Sequence, residues 1–236
     1  MSRIFKAIGS VILLVLIIYV AYRNIMLHFI PSVDLIKDES TSALYNSIIP
    51  NTNNKEWINY YYSHDSVSSD NIPEEMKFNI AFKNMHTASS VVKEKDIEEI
   101  YNKVFGSNTY KKIDSFSGTC SDYVYNSLNS EYIENKSQVK DCKSSNISIL
   151  SKIVDAKISN NKEEITVVIA YMNSDSKTIY KDCDSNLASC NNVLKSNYTD
   201  FDESNLEEYK NTLHKYKFTF IANNDEYYFK EVKKLK

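Results

Sequence analysis

Glycine is nearly missing from this chain: Gly9, Gly106 and Gly118 are the only three in 236 residues. No glycine-rich loop can be assembled from them to cradle a phosphate. Proline is as scarce, at Pro31, Pro50 and Pro73, and histidine is limited to four residues. No HExxH or paired CxxC occurs, so no zinc motif is present. Basic charge is also short, with 28 Lys and Arg against 31 Asp and Glu. Three of the basic residues and none of the acidic ones precede residue 31, leaving 25 against 31, a net of -6, for the rest. A surface of that sign is expected to have no nucleic-acid partner.

Long apolar runs are missing too, with one exception. Ala7 to Tyr22 carries no charge and is flanked by Arg3 and Lys6 on one side and Arg23 on the other. A bilayer core of roughly 30 Å takes about 20 apolar residues in a helix. A tilted span from about Phe5 to Ile25 satisfies this if Arg23 reaches back to the headgroups. A cleaved signal peptide is the competing reading, but the bulky Tyr19 stands two residues before Ala21, where a small residue is needed. The lipid bilayer is thus the expected partner of residues 7–22. The basic residues at the start place the N-terminus in the cytoplasm and residues from about 31 onward outside the cell membrane. The expected organisation is a cytoplasmic start and single-pass transmembrane signal-anchor over 1–30, then one extracytoplasmic domain over 31–236, long enough for a substantial core.

All four cysteines, Cys120, Cys142, Cys183 and Cys190, fall on the proposed exterior side, where disulfide bonds persist. Three connectivities are possible. The sequential one, Cys120 with Cys142 and Cys183 with Cys190, is favoured because each bridge closes a local loop, contributing about 3 and about 2.5 kcal/mol. The sequence does not exclude the crossed pairings.

What is abundant is tyrosine, with 18 residues, alongside Asn, Lys, Ser and Ile. Tyrosine-rich surfaces bind carbohydrate or protein, but an AT-rich genome imposes the same bias. Residues 43–49 form a helical stripe that Pro50 stops, and Trp57, Ile58, Tyr60, Tyr61 and Tyr62 form an aromatic cluster suited to core packing. Pro73, Glu74 and Glu75 open a helix carrying Met76, Ile80, Ala81 and Met85. The clearest helix is capped by Asp96, places Ile97, Ile100, Tyr101, Val104 and Phe105 on one face, and ends at Gly106.

Beyond Lys111 the period becomes alternating. A hairpin is expected over 121–126 and 131–134, and a longer pair over 147–159 and 164–172. In the second strand of that pair Val167, Ile169 and Tyr171 alternate with Val168 and Ala170, so both faces are covered and it belongs at the sheet centre. A strand over 177–181, a loop closed by Cys183 and Cys190, a short helix capped by Ser204, and two final strands around a turn at 223–225 complete the chain. Helices followed by strands give an α+β fold, with N-terminal helices packed on a mainly antiparallel sheet. A cone-like sheet, as in the nuclear-transport-factor-2-like fold, is one arrangement this order permits.

Candidate sites each meet a plainer reading. Gly118-Thr119-Cys120-Ser121-Asp122 is faintly similar to the nucleophile motif of NlpC/P60 cell-wall peptidases, but such a thiolate needs a histidine, and only His214 lies downstream. Cys120 is better read as a disulfide partner. Asp182-Cys183-Asp184-Ser185-Asn186 opens like a calcium loop, yet Leu187 stands where glycine makes the turn and Val193 where a glutamate closes the site. His64, His86 and His214 are dispersed, and Glu98 with Glu99 reads as a solvated helix face. Asn135, Asn146 and Asn197 fit the glycosylation acceptor pattern, as chance allows in so Asn-rich a chain. No catalytic residue, metal ligand or cofactor site is assigned.

The basic start, the single span, Leu44-Tyr45 soon after it, Lys103-Val104-Phe105-Gly106 closing a helix, and Cys120 and Cys142 around a Tyr-rich hairpin together resemble a group of membrane-anchored extracytoplasmic proteins of low-GC Gram-positive bacteria. That resemblance implies no activity, since none is assigned to the group. The expected function is a non-enzymatic binding or interaction module, with an envelope protein or cell-wall component as partner. A cell-envelope hydrolase acting on cell-wall or peptide substrates is the alternative.

Overall fold

The computed structural model describes residues 35–51, 55–87, 89–118, 120–139, 146–159, 161–223 and 226–236. The expected span over 7–22 lies outside them, as does Cys142. Among the described residues no helix is long and apolar enough to cross a membrane. The chain is α+β, with a curled antiparallel sheet and a few helices.

Helix α1 (Glu39–Ser47) starts where the Asp38 carboxylate accepts from the Ser40 amide at 2.8 Å. Helix α2 (Lys55–Tyr62) carries the aromatic cluster and buries Tyr61 and Tyr62. After a three-residue strand β1 (Ser66–Ser68), Pro73 takes the cap position of α3 (Glu74–Asn84), whose Met76, Phe78, Ile80 and Ala81 are fully buried. Strand β2 (Val91–Lys93) runs directly into α4 (Glu94–Phe105). Asp96 therefore sits inside the first turn and does not cap it. The Glu94 amide donates to the Ser130 carbonyl at 3.0 Å, carrying the pairing of β2 with β5 into the first turn of the helix. Gly106 ends the helix with φ 102° and ψ 153°, a mirror-extended conformation in place of the expected left-handed one.

The strands follow: β3 (Ser115–Ser117), β4 (Ser121–Asn126), β5 (Glu131–Val139), β6 (Ile147–Ser159), β7 (Lys162–Asn173), β8 (Thr178–Cys183), β9 (Cys190–Ser196), β10 (Lys215–Asn223) and β11 (Glu226–Leu235). They form two sheets, β2-β5-β4-β3 and a seven-stranded sheet centred on β7. One edge of β7 pairs with β6 along its length. The other is shared: β10 takes Lys162 to Val168 and β8 takes Tyr171 to Asn173, so the sheet forks there. Register shifts at Ile153/Asp155 in β6 and opposite Thr219/Phe220, where β11 carries the extra Lys230, add local twist.

The expected centre of the sheet is observed. Ile165, Val167, Ile169 and Tyr171 face the main core with the helices, while Val168 and Ala170 face a smaller core with Ile179, Phe201, Leu206 and Leu213. That smaller core lies under a turn and the short helix α5 (Leu206–Tyr209). Asp202, not Ser204, caps this segment: it accepts from the Ser204 amide at 2.8 Å while Asn205 Oδ1 accepts from the Asp202 amide at 2.9 Å. The Ser204 hydroxyl is itself spent on Asp202, at 2.5 Å.

Candidate functional site

The inward face of β7 extends one residue beyond its apolar run. Glu163 has the same parity as Ile165 and Val167, so the period of two turns its carboxylate toward the helices, where it is 4% exposed. Its cross-strand neighbours are Ile158 on β6 and Phe220 on β10. The Thr41 hydroxyl of α1 donates to Glu163 Oε1 at 2.8 Å, and the carboxylate has no other hydrogen-bond or ion-pair partner among the described residues.

Glu163 lines a cavity of about 630 Å³ between α1, α4 and the ends of β6 and β11. Ala43 and Leu44 from α1, Ile100 and Val104 from α4, and Ile158 give it apolar walls. At the rim Lys103 pairs with Glu226 at 3.2 Å. Tyr227 closes one side, and its phenol is raised above the usual range, first by burial and then by the Glu163 charge. The expected strand began at Glu164 and so left Glu163 out. The available signal was a charged residue on the inward parity of a buried strand.

The opposite flank of α1 borders a second, more polar cavity of about 590 Å³, lined by Lys37, Ser42, Tyr45, Ser151, Lys152 and Glu203 among others. Burial raises the Glu203 carboxyl, against a hydrogen bond to the Ser151 backbone. Lys152 reaches Glu207 at 3.6 Å, so its charge is matched across the cavity wall.

At the fork of the sheet a polar knot replaces the calcium loop weighed above. His214 Nε2 lies 2.6 Å from Asp182 Oδ1, and Asn192 Nδ2 donates to Asp182 Oδ2 at 2.7 Å. Asp184 Oδ1 accepts from the Ala188 amide at 2.7 Å. Leu187 makes the turn with φ 55° and buries its side chain, so the left-handed position that favours glycine is filled by leucine. Cys183 and Cys190 are directly paired across β8 and β9 and form a disulfide with a Cα–Cα distance of 4.0 Å. The expected loop is thus a stapled hairpin.

Burial works against the Asp182 charge, but the hydrogen bond from Asn192 and the interactions with His214 outweigh it and hold the carboxyl below its usual range. A group whose folded pKa is depressed contributes stability present above its unfolded value of about 3.9 and lost as pH falls through the folded one. The gap in urea midpoint between the native chain and Asp182→Asn is therefore expected to be full at pH 7 and to close below roughly pH 4. A gap independent of pH would assign the effect to lost packing.

The remaining candidates do not converge. Cys120 is disulfide-bonded and His214 is engaged by Asp182, so no thiol–histidine pair forms. His64 is exposed, its Nδ1 2.9 Å from the Tyr60 carbonyl oxygen, and His86 is exposed at φ 50°. Glu98 and Glu99 lie on the solvated face of α4, as expected. Asn146 and Asn197 are exposed and Asn135 is half-buried in β5. No group of three or more metal-ligating side chains occurs among the described residues. Compared with protein families, with curated proteins and with solved structures, the chain matches none.

Proposed function

We propose that this chain is a membrane-anchored extracytoplasmic binding module, tethered through residues 7–22, whose ligand occupies the cavity beside α1 and α4. The observation that carries this reading is an apolar-walled cavity of about 630 Å³ with a buried carboxylate in its lining, Glu163. Its size falls in the range of small-molecule sites, and such sites combine apolar walls with few polar groups that fix orientation. The curl of the antiparallel sheet supports the cone-like, nuclear-transport-factor-2-like variant of the fold. An envelope component is the proposed partner, and likeness to the anchored Gram-positive group belongs to the same reading. The hydrolase alternative gains no support from the described side chains, since Cys120 is bonded and His214 faces Asp182.

The test is a fragment screen by methyl NMR on the full chain in lipid nanodiscs. Shifts clustered on Ala43, Leu44, Ile100, Val104 and Ile158 are expected, and their suppression by Val104→Trp, which fills the cavity. Fragments that shift only residues elsewhere would overturn the site. Protease added to intact protoplasts is expected to digest residues beyond about 31. Full protection would overturn the address.

A further inference from the structure

We infer that the cavity beside α1 and α4 selects a small amphipathic amine, with the ligand's ammonium group donating to Glu163 and its apolar body lying against Leu44, Ile100 and Val104. This inference rests on the binding reading above and specifies the ligand's chemistry.

The argument begins with an incomplete carboxylate. An ionised Glu accepts through two oxygens, with about four lone-pair directions between them. Glu163 is 4% exposed, and Thr41 supplies a single donor to one oxygen. A buried carboxylate with too few donors takes up a proton or is completed by a cation or further hydrogen bonds, and a cationic ligand supplies the second. Lys103, the cation among the described lining residues, is engaged by Glu226 at 3.2 Å. Among the described residues of the lining, Glu163, Glu226 and Lys103 are charged, a net of -1. An anion would therefore meet repulsion, and a neutral ligand would leave Glu163 incompletely paired.

A primary ammonium offers three donors on a compact charge, which suits a single buried carboxylate. Ser40, Ser47 and Asn84 add polar groups to the lining that a second ligand substituent can use. The remaining walls are aliphatic, apart from Tyr227, whose ring offers an apolar face to an aromatic or alkyl body. A divalent cation is a poorer fit, because hard cations take six or more oxygen ligands and the lining has one unpaired carboxylate.

Three probes of nearly equal shape test this on the full chain in nanodiscs: phenethylamine, 2-phenylethanol and 3-phenylpropionate, titrated by methyl NMR at pH 7. Phenethylamine is expected to shift the methyls of Leu44, Ile100 and Val104 with affinity about tenfold or more above the alcohol, a ratio set by one charge-assisted hydrogen bond. The carboxylate probe is expected to bind weakest. Glu163→Gln keeps an acceptor for Thr41 and is expected to bring the amine and the alcohol to equal affinity. If this variant unfolds, the order of the three probes on the native chain decides. Equal affinity of amine and alcohol for the native cavity would overturn the ammonium inference and leave the binding site intact. Shifts from none of the three at these methyls would overturn both.

Discussion

Replacing Phe78 by alanine is expected to lower the free energy of unfolding by about 4 kcal/mol, within the range of roughly 3–5 for truncating a buried phenylalanine. Phe78 on α3 is fully buried, and its ring centroid lies 5.5 Å from those of Tyr110, Phe116 and Tyr132 and 5.7 Å from that of Tyr101. These rings come from α4, from the segment after it, and from β3 and β5. The side chain thus joins two helices to the small sheet. Tyr101, Tyr110 and Tyr132 each direct a hydroxyl to a fixed partner, Glu74, Glu94 and the Ile113 carbonyl, so their rings cannot swing inward to fill the space. Poor relaxation puts the cost toward the upper part of the range. Against a domain stability of about 5–15 kcal/mol, this is a large fraction. Urea unfolding followed by far-UV circular dichroism measures it, with Leu128→Ala as control. Leu128 is 91% exposed, and its truncation is expected to stay within about 0.5 kcal/mol. A loss below roughly 2 kcal/mol for Phe78→Ala would show that the ring cluster repacks freely.

The elements that sequence reasoning located correctly are those whose pattern and environment agree. Strand β7 was legible because apolar residues on both faces have one explanation, burial on both sides, and the two cores confirm it. The period of α4 was equally plain. Its start was misplaced because the chain enters it straight from β2, whose pairing with β5 continues to the Glu94 amide and the Ser130 carbonyl, a tertiary contact that no local pattern encodes. Strands β1, β2 and β3 are three residues each, too short for an alternating pattern to show. Their conformation is dictated by β11, β5 and β4 beside them. Strand β9 was missed for a related reason. Cys190-Asn191-Asn192-Val193-Leu194-Lys195-Ser196 is an exposed edge with little β propensity, held by β8 and by the disulfide. At the candidate cavity, the helix residues Leu44, Ile100 and Val104 were recognised as apolar stripes, but stripes ordinarily pack fully. That these leave a space beside Glu163 follows from how α1 and α4 meet the strand ends, which sequence does not encode locally.

Two buried asparagines were invisible in the same way. Asn59 on α2 and Asn79 on α3 are fully buried, and each donates its amide to two successive carbonyls of a loop beside a cysteine. Asn79 serves Ser117 and Gly118 at 2.7 and 3.2 Å, two residues from Cys120. Asn59 serves Asp184 and Ser185 at 2.8 and 3.2 Å, next to Cys183. In each, the side-chain oxygen accepts as well, from the Asn51 amide and the Tyr171 hydroxyl respectively. On a helix rich in Tyr and Ile, an asparagine gives no sign of whether it faces water or a loop.

Asn59→Leu is accordingly expected to cost about 4 kcal/mol, comparable to losing a core ring, because it keeps the branched side-chain shape and removes the donors and acceptor together. Each stranded group costs roughly 1–3 kcal/mol, and two are involved, the Ser185 carbonyl and the Tyr171 hydroxyl, while the Asp184 carbonyl keeps the Leu187 amide at 3.1 Å. Tyr171 is 2% exposed and has no route to water, whereas the Ser185 carbonyl recovers part of its loss if the loop over 184–189 lifts away. The disulfide between Cys183 and Cys190 opposes that lifting, since it ties both ends of the same loop. The two devices should therefore be coupled: with Cys183 and Cys190 both replaced by serine, the loop is freer to rise and Asn59→Leu is expected to cost about 1–2 kcal/mol less. A double-mutant cycle by urea unfolding measures the difference. Additive losses would mean that the loop stays seated without the bridge, and that Asn59 alone fixes the fork of the sheet where β8 and β10 part.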